Sequence, residues 1–336
     1  MNRYDNLESA ARGLASGIGR VATIGFFDGV HRGHRALLGD LKDWAVEVGG
    51  ESVVVTFGEH PQAVLGAHPP VPVVSLEHRL LLLEREGIDA ALVLDFDERV
   101  RALTPEDFVR SVLVESLGAR GLQMGFDSAF GNRRLGTFEY LDEMRDELGL
   151  EIRSSRAEIL EGVAVSSTRV REAVSNWSFV ELENLLGHPF SIMGTVVEGD
   201  GRGRQLGFPT ANLALPGVSV PPPGVYFCDV LCLGERPYGR HSWRALVAPE
   251  RPEGFFRGVM NIGRRPTLTD GKEASIGSIY DPRVDTVEVH LLDYEGDLYG
   301  QCLEVFVLSM HRGEKKFSSV EELTAQIRSD VEARLG

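Results

Sequence analysis

The sequence predicts two folds in series: an α/β domain built on a parallel sheet, then an antiparallel β-barrel that ends in a C-terminal helix. Three observations predict it. Up to about residue 184 short apolar strands alternate with helical patterns, and beyond 185 strand-like runs follow one another with turn residues between them. The chain then closes on an amphipathic helical stretch. A length of 336 residues also exceeds one comfortable core, so two domains are expected, 1–184 and 185–336.

The first strand is Val21-Ala22-Thr23-Ile24. After a glycine-rich loop, Leu37, Leu38, Leu41, Trp44, Ala45 and Val48 recur at helical spacing until Gly49-Gly50 ends the helix. Ser52 to Phe57 reads as the next strand, Leu76 to Arg85 as a helix and Ala90 to Leu94 as a third strand. Pro105 to Leu117 is helical with Thr104 as its cap, and Gly121 to Gly125 is a short strand. Continuous apolar strands with helices between them are the pattern of a sheet covered on both faces, whose ligands sit beyond the carboxyl ends of the strands. In the second half, Phe190 to Val197, Gly224 to Leu231, Gly258 to Ile262, Val284 to Asp293 and Leu303 to Leu308 are rich in Val, Ile, Phe or Tyr. Many short strands imply a barrel or a sandwich. The helix from Ser318 to Leu335 carries Val320, Leu323, Ile327 and Val331 as a stripe expected to pack on that barrel, with Ser318 or Ser319 as its cap.

Hydrophobic content of 43% and charged content of 25% are ordinary for a folded protein. A formal charge of −15 disfavours a nucleic-acid backbone as partner, because such binding needs a broad basic field. No apolar run reaches the length of a membrane span, and Met1-Asn2-Arg3-Tyr4-Asp5 lacks the apolar core of a signal peptide, so a cytoplasmic protein without a membrane partner is expected. Cys228, Cys232 and Cys302 match neither a disulfide framework nor a zinc spacing and read as small core residues.

Chemistry concentrates in three places. Gly25-Phe26-Phe27-Asp28-Gly29-Val30-His31-Arg32-Gly33-His34 places two histidines three apart where a helix begins, on the face where free backbone N–H groups and the helix dipole favour an anion. A metal pair is the competing reading, but zinc needs at least a third protein ligand and none is spaced to supply it locally. Val165-Ser166-Ser167-Thr168-Arg169-Val170-Arg171 offers hydroxyls and guanidiniums at a second helix start, which suits an oligophosphate, although a plain Ser/Thr cap explains it equally well. The third place is Gly199 to Asn212. Arg204 and Pro209 exclude the dinucleotide fingerprint and no Gly-Lys-Ser/Thr follows, so what remains is a flexible arginine-bearing loop leading into an extended Thr210-Ala211-Asn212. At a period of two, the Thr210 hydroxyl and Asn212 carboxamide project to one side and supply the hard oxygen ligands that Mg²⁺ accepts beside ATP phosphates. In Val287-Glu288-Val289-His290-Leu291 the same period puts Glu288 and His290 on one face. Glu288 is then a candidate general base, or simply a solvated residue if that face points outward.

These motifs, with Gly224-Val225-Tyr226, Asn261-Ile262-Gly263, the Asp-Leu-Tyr-Gly ending at Gly300 and His311 to Phe317, resemble the bacterial bifunctional riboflavin kinase/FMN adenylyltransferase family over essentially the whole chain. The resemblance implies a Rossmann-like nucleotidyltransferase domain followed by a riboflavin kinase barrel, acting on riboflavin, FMN, FAD and ATP with Mg²⁺. In the first domain it implies ATP contacts from Gly25, Phe27, Asp28, His31, His34, Ser166, Ser167, Thr168 and Arg171, with His60 and Asp127 near the flavin. In the second it implies Glu288 as base, Thr210 and Asn212 on Mg²⁺, the loop residues Gly199, Gly201, Arg202 and Gly203 over the ATP, and Arg312 and Phe317 beside the flavin. Three departures stand out. Thr56-Phe57-Gly58-Glu59-His60-Pro61 replaces the usual Thr-Phe-Asp-Pro-His-Pro, Ser128 replaces an aromatic, and Arg265 stands where Asn is common. The alternatives are a kinase with a weak or re-purposed adenylyltransferase domain and a flavin-binding protein without chemistry. Oligomeric state is not legible.

Overall fold

The computed structural model describes residues 1–14, 17–60, 69–234, 253–263 and 286–336. Pro61, Arg265 and positions 284 and 285 of the expected strand lie outside the described residues. The chain forms two compact units, Met1–Pro70 with Arg79–Ser167, and Val71–His78 with Thr168–Gly336.

In the first unit the elements run β1 (Asn2–Tyr4), α1 (Leu7–Gly13), β2 (Arg20–Ile24), α2 (Arg32–Glu47), β3 (Glu51–Phe57), α3 (Leu76–Arg85, its first three residues counted with the other unit), β4 (Ala90–Leu94), α4 (Pro105–Phe108), β5 (Ala119–Met124) and β6 (Glu151–Ser154). The six strands pair in parallel in the order β1-β4-β3-β2-β5-β6. Val53, Val54, Val55, Ala91 and Leu92 have no exposure, as strands covered on both faces require. Strand order reverses between β2 and β5, so the loops leaving their carboxyl ends diverge and open a crevice. The loop that leaves β2 there ends at His31, and His34 lies in the first turn of α2.

Two edge strands escape sequence reading. β1 is three residues of Asn-Arg-Tyr, and β6 buries only one well-covered side chain, Ile152, so neither has an apolar run to announce it. The expected helix from Pro105 to Leu117 has the right extent but not one hydrogen-bond pattern. Thr104 caps it, its Oγ1 accepting from Asp107 N–H at 3.1 Å, and after α4 the segment Val109–Ser116 widens into a π-helix.

The second unit contains α5 (residues 168–175 of Ser167–Ser175), α6 (Phe179–Leu186), β9 (Ser191–Val197), α7 (Arg202–Gln205), β10 (Ala211–Ala214), β11 (Gly224–Gly234), β12 (Phe255–Gly263), β13 (Thr286–Leu291), β14 (Cys302–Arg312) and α8 (Val320–Leu335); β7 (Ile159–Leu160) and β8 (Val163–Ala164) form a small hairpin in the first unit. β9 to β14 close an antiparallel barrel in the order β10-β13-β12-β11-β14-β9. Along β13, Val287, Val289 and Leu291 are buried while Glu288 and His290 are half-buried, so the period-two alternation holds. Cys228 and Cys302 are buried and unpaired, and burial pushes both thiols up, away from nucleophilic thiolate.

α8 packs on the barrel as expected, with Arg334 Nη2 donating to the Cys228 carbonyl of β11 at 3.3 Å. On its stripe Val320 is exposed, and Leu323, Ile327 and Val331 are half-buried and line a cavity. The fully buried contact of this helix is a carboxylate, Asp330, at 2% exposure.

Candidate functional site

The first site grows from the turn after β2. A Cβ on Gly25 would lie 2.9 Å from the Phe27 ring, so only glycine lets that ring fold back over the strand end. Phe27 and Val30 adopt left-handed φ values of 56° and 43°, unfavourable for a β-branched valine, and both are held there by near-complete burial. This strained turn delivers His31 to the N-cap of α2, where Nδ1 accepts from His34 N–H at 3.3 Å. The two imidazoles stack, centroids 3.7 Å apart and planes 13° from parallel.

A cavity of about 220 Å³ opens over this pair. Gly25, Phe27, His31 and His34 line one wall; Asp127 and Ser128, beyond β5, line another, and Ser166 and Ser167 a third. Asp28 is buried behind the loop, and its carbonyl accepts from Ser167 Oγ at 3.1 Å. Burial, the neighbouring His31 and the charge of Arg79 hold His34 well below the ordinary 6.5, so it is neutral, and its buried Nδ1 has no partner. The neutral His34 ring, the His31 ring beside it, the first backbone N–H groups of α2 and hydroxyls around one crevice make a receptor for an oligoanion.

His60 stands apart from that wall and packs edge-on against Phe26, centroids 4.7 Å apart. Thr168 and Arg171 belong to the second unit, where Arg171 Nη2 donates to Thr168 Oγ1 at 3.2 Å. Ser128, the departure from an aromatic, accepts from Gly125 N–H at 3.1 Å and so closes its own turn. At Gly58 an added Cβ would face Asp95 Oδ1 at 3.7 Å.

The second site is a cavity of about 990 Å³ on the barrel. Asn212, Glu288 and Asn261 are register partners on β10, β13 and β12, so their side chains form a row across three strands on the cavity face. Thr210 lies two residues before Asn212 and lines the same cavity, as the alternation requires. His290 shares that face, and its Nδ1 donates to the Pro209 carbonyl at 2.7 Å, fixing the ring.

The glycine loop covers this row. Gly201, Arg202 and Gly203 line the cavity, and α7 gives the loop a helical turn that the sequence reading left as flexible coil. A Cβ on Gly203 would come within 2.4 Å of the Phe208 carbonyl and 3.1 Å of Thr210 Oγ1. Gly199 does not line the cavity, but its Cβ would strike the Asn212 carboxamide at 2.2 Å. These glycines let backbone lie directly on the two oxygen donors.

Arg312 and Phe317 line the opposite wall. Arg312 is held by Asp330, with Nη2 donating at 2.7 Å and Nε at 3.1 Å. Burial opposes ionisation of Asp330, but hydrogen bonds from Arg312 and Gln326 and the charges of Arg312 and His311 outweigh it and hold the carboxyl below its ordinary 3.8. A smaller cavity of about 80 Å³ shares Thr210 and lies among Tyr294, Leu298 and Tyr299.

Residues 15–169 match the family described as FAD synthetase, and residues 186–335 match riboflavin kinase. A bifunctional riboflavin kinase/FMN adenylyltransferase from Pseudomonas fluorescens is 38% identical over 315 residues, covering 94% of this chain and 92% of that one. That of Escherichia coli K12 is 38% identical over 313 residues, 93% of this chain and 90% of its own. The chain belongs to the bifunctional riboflavin kinase/FMN adenylyltransferase family.

A solved structure described as a macrolide-efflux protein from Streptococcus pneumoniae superposes with a TM-score of 0.75 at 29% identity, over 99% of this chain and 98% of that one. Among the described residues no helix is long and apolar enough to cross a membrane. Riboflavin, FMN, FAD and ATP are the substrates and products of the family's reactions, and both of its domains use ATP, which brings a divalent cation. Among the described residues no cluster of three His, Cys, Asp or Glu could hold a metal by itself. The neutral oxygens of Thr210 and Asn212, which a Cβ on Gly203 or Gly199 would crowd, fit a cation that arrives with phosphates.

Sequence reasoning missed Asn261 as a member of the polar row, the Tyr294 to Tyr299 cavity, Asp330 and Arg79. Strand alternation from Gly258 to Ile262 could have found Asn261. Nothing local marks Asp330 or Arg79, whose surroundings come from distant segments.

Proposed function

We propose that this chain converts riboflavin to FMN on the barrel and FMN to FAD in the first domain, with the boundary between activities at 184/185. The observation that carries the kinase half is the Asn212-Glu288-Asn261 row under the glycine loop. Glu288 takes the proton of the ribityl 5′-hydroxyl as that oxygen attacks the γ-phosphorus of ATP in line, and ADP leaves. Thr210 and Asn212 hold Mg²⁺, which when bound offsets phosphate charge. Gly199, Gly201, Arg202 and Gly203 enclose the triphosphate, and the nucleoside extends toward Tyr294 and Tyr299. Arg312, steadied by Asp330, and Phe317 flank the flavin.

In the first domain an FMN phosphate oxygen attacks the α-phosphorus of a second ATP, and pyrophosphate leaves. Both reactants are polyanions, so the protein's work is orientation and charge neutralisation. His31, His34, Ser166 and Ser167 contact the triphosphate, with Gly25, Phe27 and Asp28 shaping the loop; His60 and Asp127 orient the flavin. No covalent enzyme intermediate is required. Work on soluble cofactors suits the cytoplasm.

A chromatographic time course with riboflavin, excess ATP and Mg²⁺ tests this reading. FMN should rise and then give way to FAD. FMN accumulating without FAD would leave a kinase alone, and unchanged riboflavin would leave a flavin-binding protein.

A further inference from the structure

Arg79, on α3, is 1% exposed, and nothing in the mechanism above uses it. Its Nη1 donates to the Phe26 carbonyl at 2.8 Å and its Nη2 to the Phe57 carbonyl at 2.5 Å. One guanidinium thereby ties the loop after β2 to the end of β3. Its Cζ lies 4.1 Å from the centroid of the Phe26 ring, and that ring meets His60 edge-on.

The charge of this group is poorly compensated. Among the described residues no carboxylate closes an ion pair on Arg79, and its buried Nε has no hydrogen-bond partner. Asp28 offsets it only through space, and burial outweighs that help, lowering Arg79 to about 10, still a cation at neutral pH. A guanidinium kept only for packing gains from a carboxylate in its fork, because an unpaired buried charge is costly. Here the fork holds two strand-end carbonyls, and the positive charge faces the side of the sheet where two polyanions are brought together. Binding of those anions would supply the missing compensation.

We propose that Arg79 is a positioning residue for FMN adenylylation: it fixes Phe26, and through Phe26 the His60 ring, and sets an incompletely compensated positive charge against the incoming flavin phosphate. The proposal rests on the reading that the first domain adenylylates FMN. It places the selectivity for a phosphorylated over an unphosphorylated flavin partly on a residue remote in sequence from every motif of the domain.

The test uses full-length Arg79→Met and Arg79→Lys, with FMN adenylylation and riboflavin phosphorylation measured separately and FMN and ATP varied in turn. Arg79→Met should raise KM for FMN tenfold or more while riboflavin kinase constants stay within twofold. Arg79→Lys, which keeps the charge but loses the fork, should fall between it and the unaltered protein. An Arg79→Met protein that does not fold would show in its melting curve and lost kinase rate; a threefold or greater rise in KM for FMN in Arg79→Lys then supports the proposal. Unchanged KM for FMN, or a fall in kcat alone, would overturn it. If the unaltered protein makes FMN but no FAD, the adenylylation reading fails, and this proposal with it.

Discussion

Glu288 and His34 belong to different units and, on this account, to different reactions, so each can be removed without the other. Glu288→Gln keeps the shape of the polar row but cannot accept a proton; riboflavin phosphorylation should fall on the order of 10²- to 10⁴-fold while FMN-to-FAD conversion stays within twofold. His34 also gives a pH signature. Its folded value lies well below 6.5, so in acid the unfolded chain binds a proton that the folded chain refuses. Stability of the first unit should therefore fall as pH drops below 6.5 toward the folded value, and this group contributes no slope above that window. Denaturant midpoints between pH 8 and 5 check this: His34→Gln should flatten the slope by up to about 1.4 kcal/mol per pH unit. An identical slope in the two proteins would contradict a neutral buried His34. At this scale the sequence was informative where chemistry repeats at short spacing, as in His31 with His34 and Thr210 with Asn212. Arg79 and Asp330 were illegible because their roles come from carbonyls and charges brought close only by folding.

Strands buried on both faces were read correctly because burial forces a continuous apolar run, as in Val53-Val54-Val55. Edge strands β1 and β6 carry polar residues and were missed for the same physical reason. α8 was placed within two residues of its observed start, since Ser319 caps it by accepting from Glu322 N–H at 3.2 Å. Its stripe packs on the barrel side as expected, but that Leu323, Ile327 and Val331 also line a cavity was not legible, because periodicity marks an inward face without saying what it faces. The glycine loop is the element whose substitution says most. Gly203→Ala would force a Cβ to within 2.4 Å of the Phe208 carbonyl and crowd Thr210. Its expected effect is a tenfold or greater rise in KM for ATP in the kinase reaction, with FMN adenylylation and the far-ultraviolet circular dichroism unchanged. An unaltered KM would mean that the loop does not seat on Thr210 as described.

Across the whole molecule, an acidic chain of net charge −15 handles anions by local arrangement of backbone amides, histidines and a few arginines, without a broad basic field. Both domain types were legible before the structure because the alternation of strands and helices gives way to strands alone. The two reactions then need no shared catalytic group. A mixture of Glu288→Gln and His34→Gln proteins, supplied with riboflavin, ATP and Mg²⁺ and followed by chromatography, tests this most directly. Alone, the first should leave riboflavin unchanged and the second should stop at FMN; together they should make FAD. A mixture that still stops at FMN, or a Glu288→Gln protein that phosphorylates riboflavin at the unaltered rate, would contradict the assignment of one reaction to each domain.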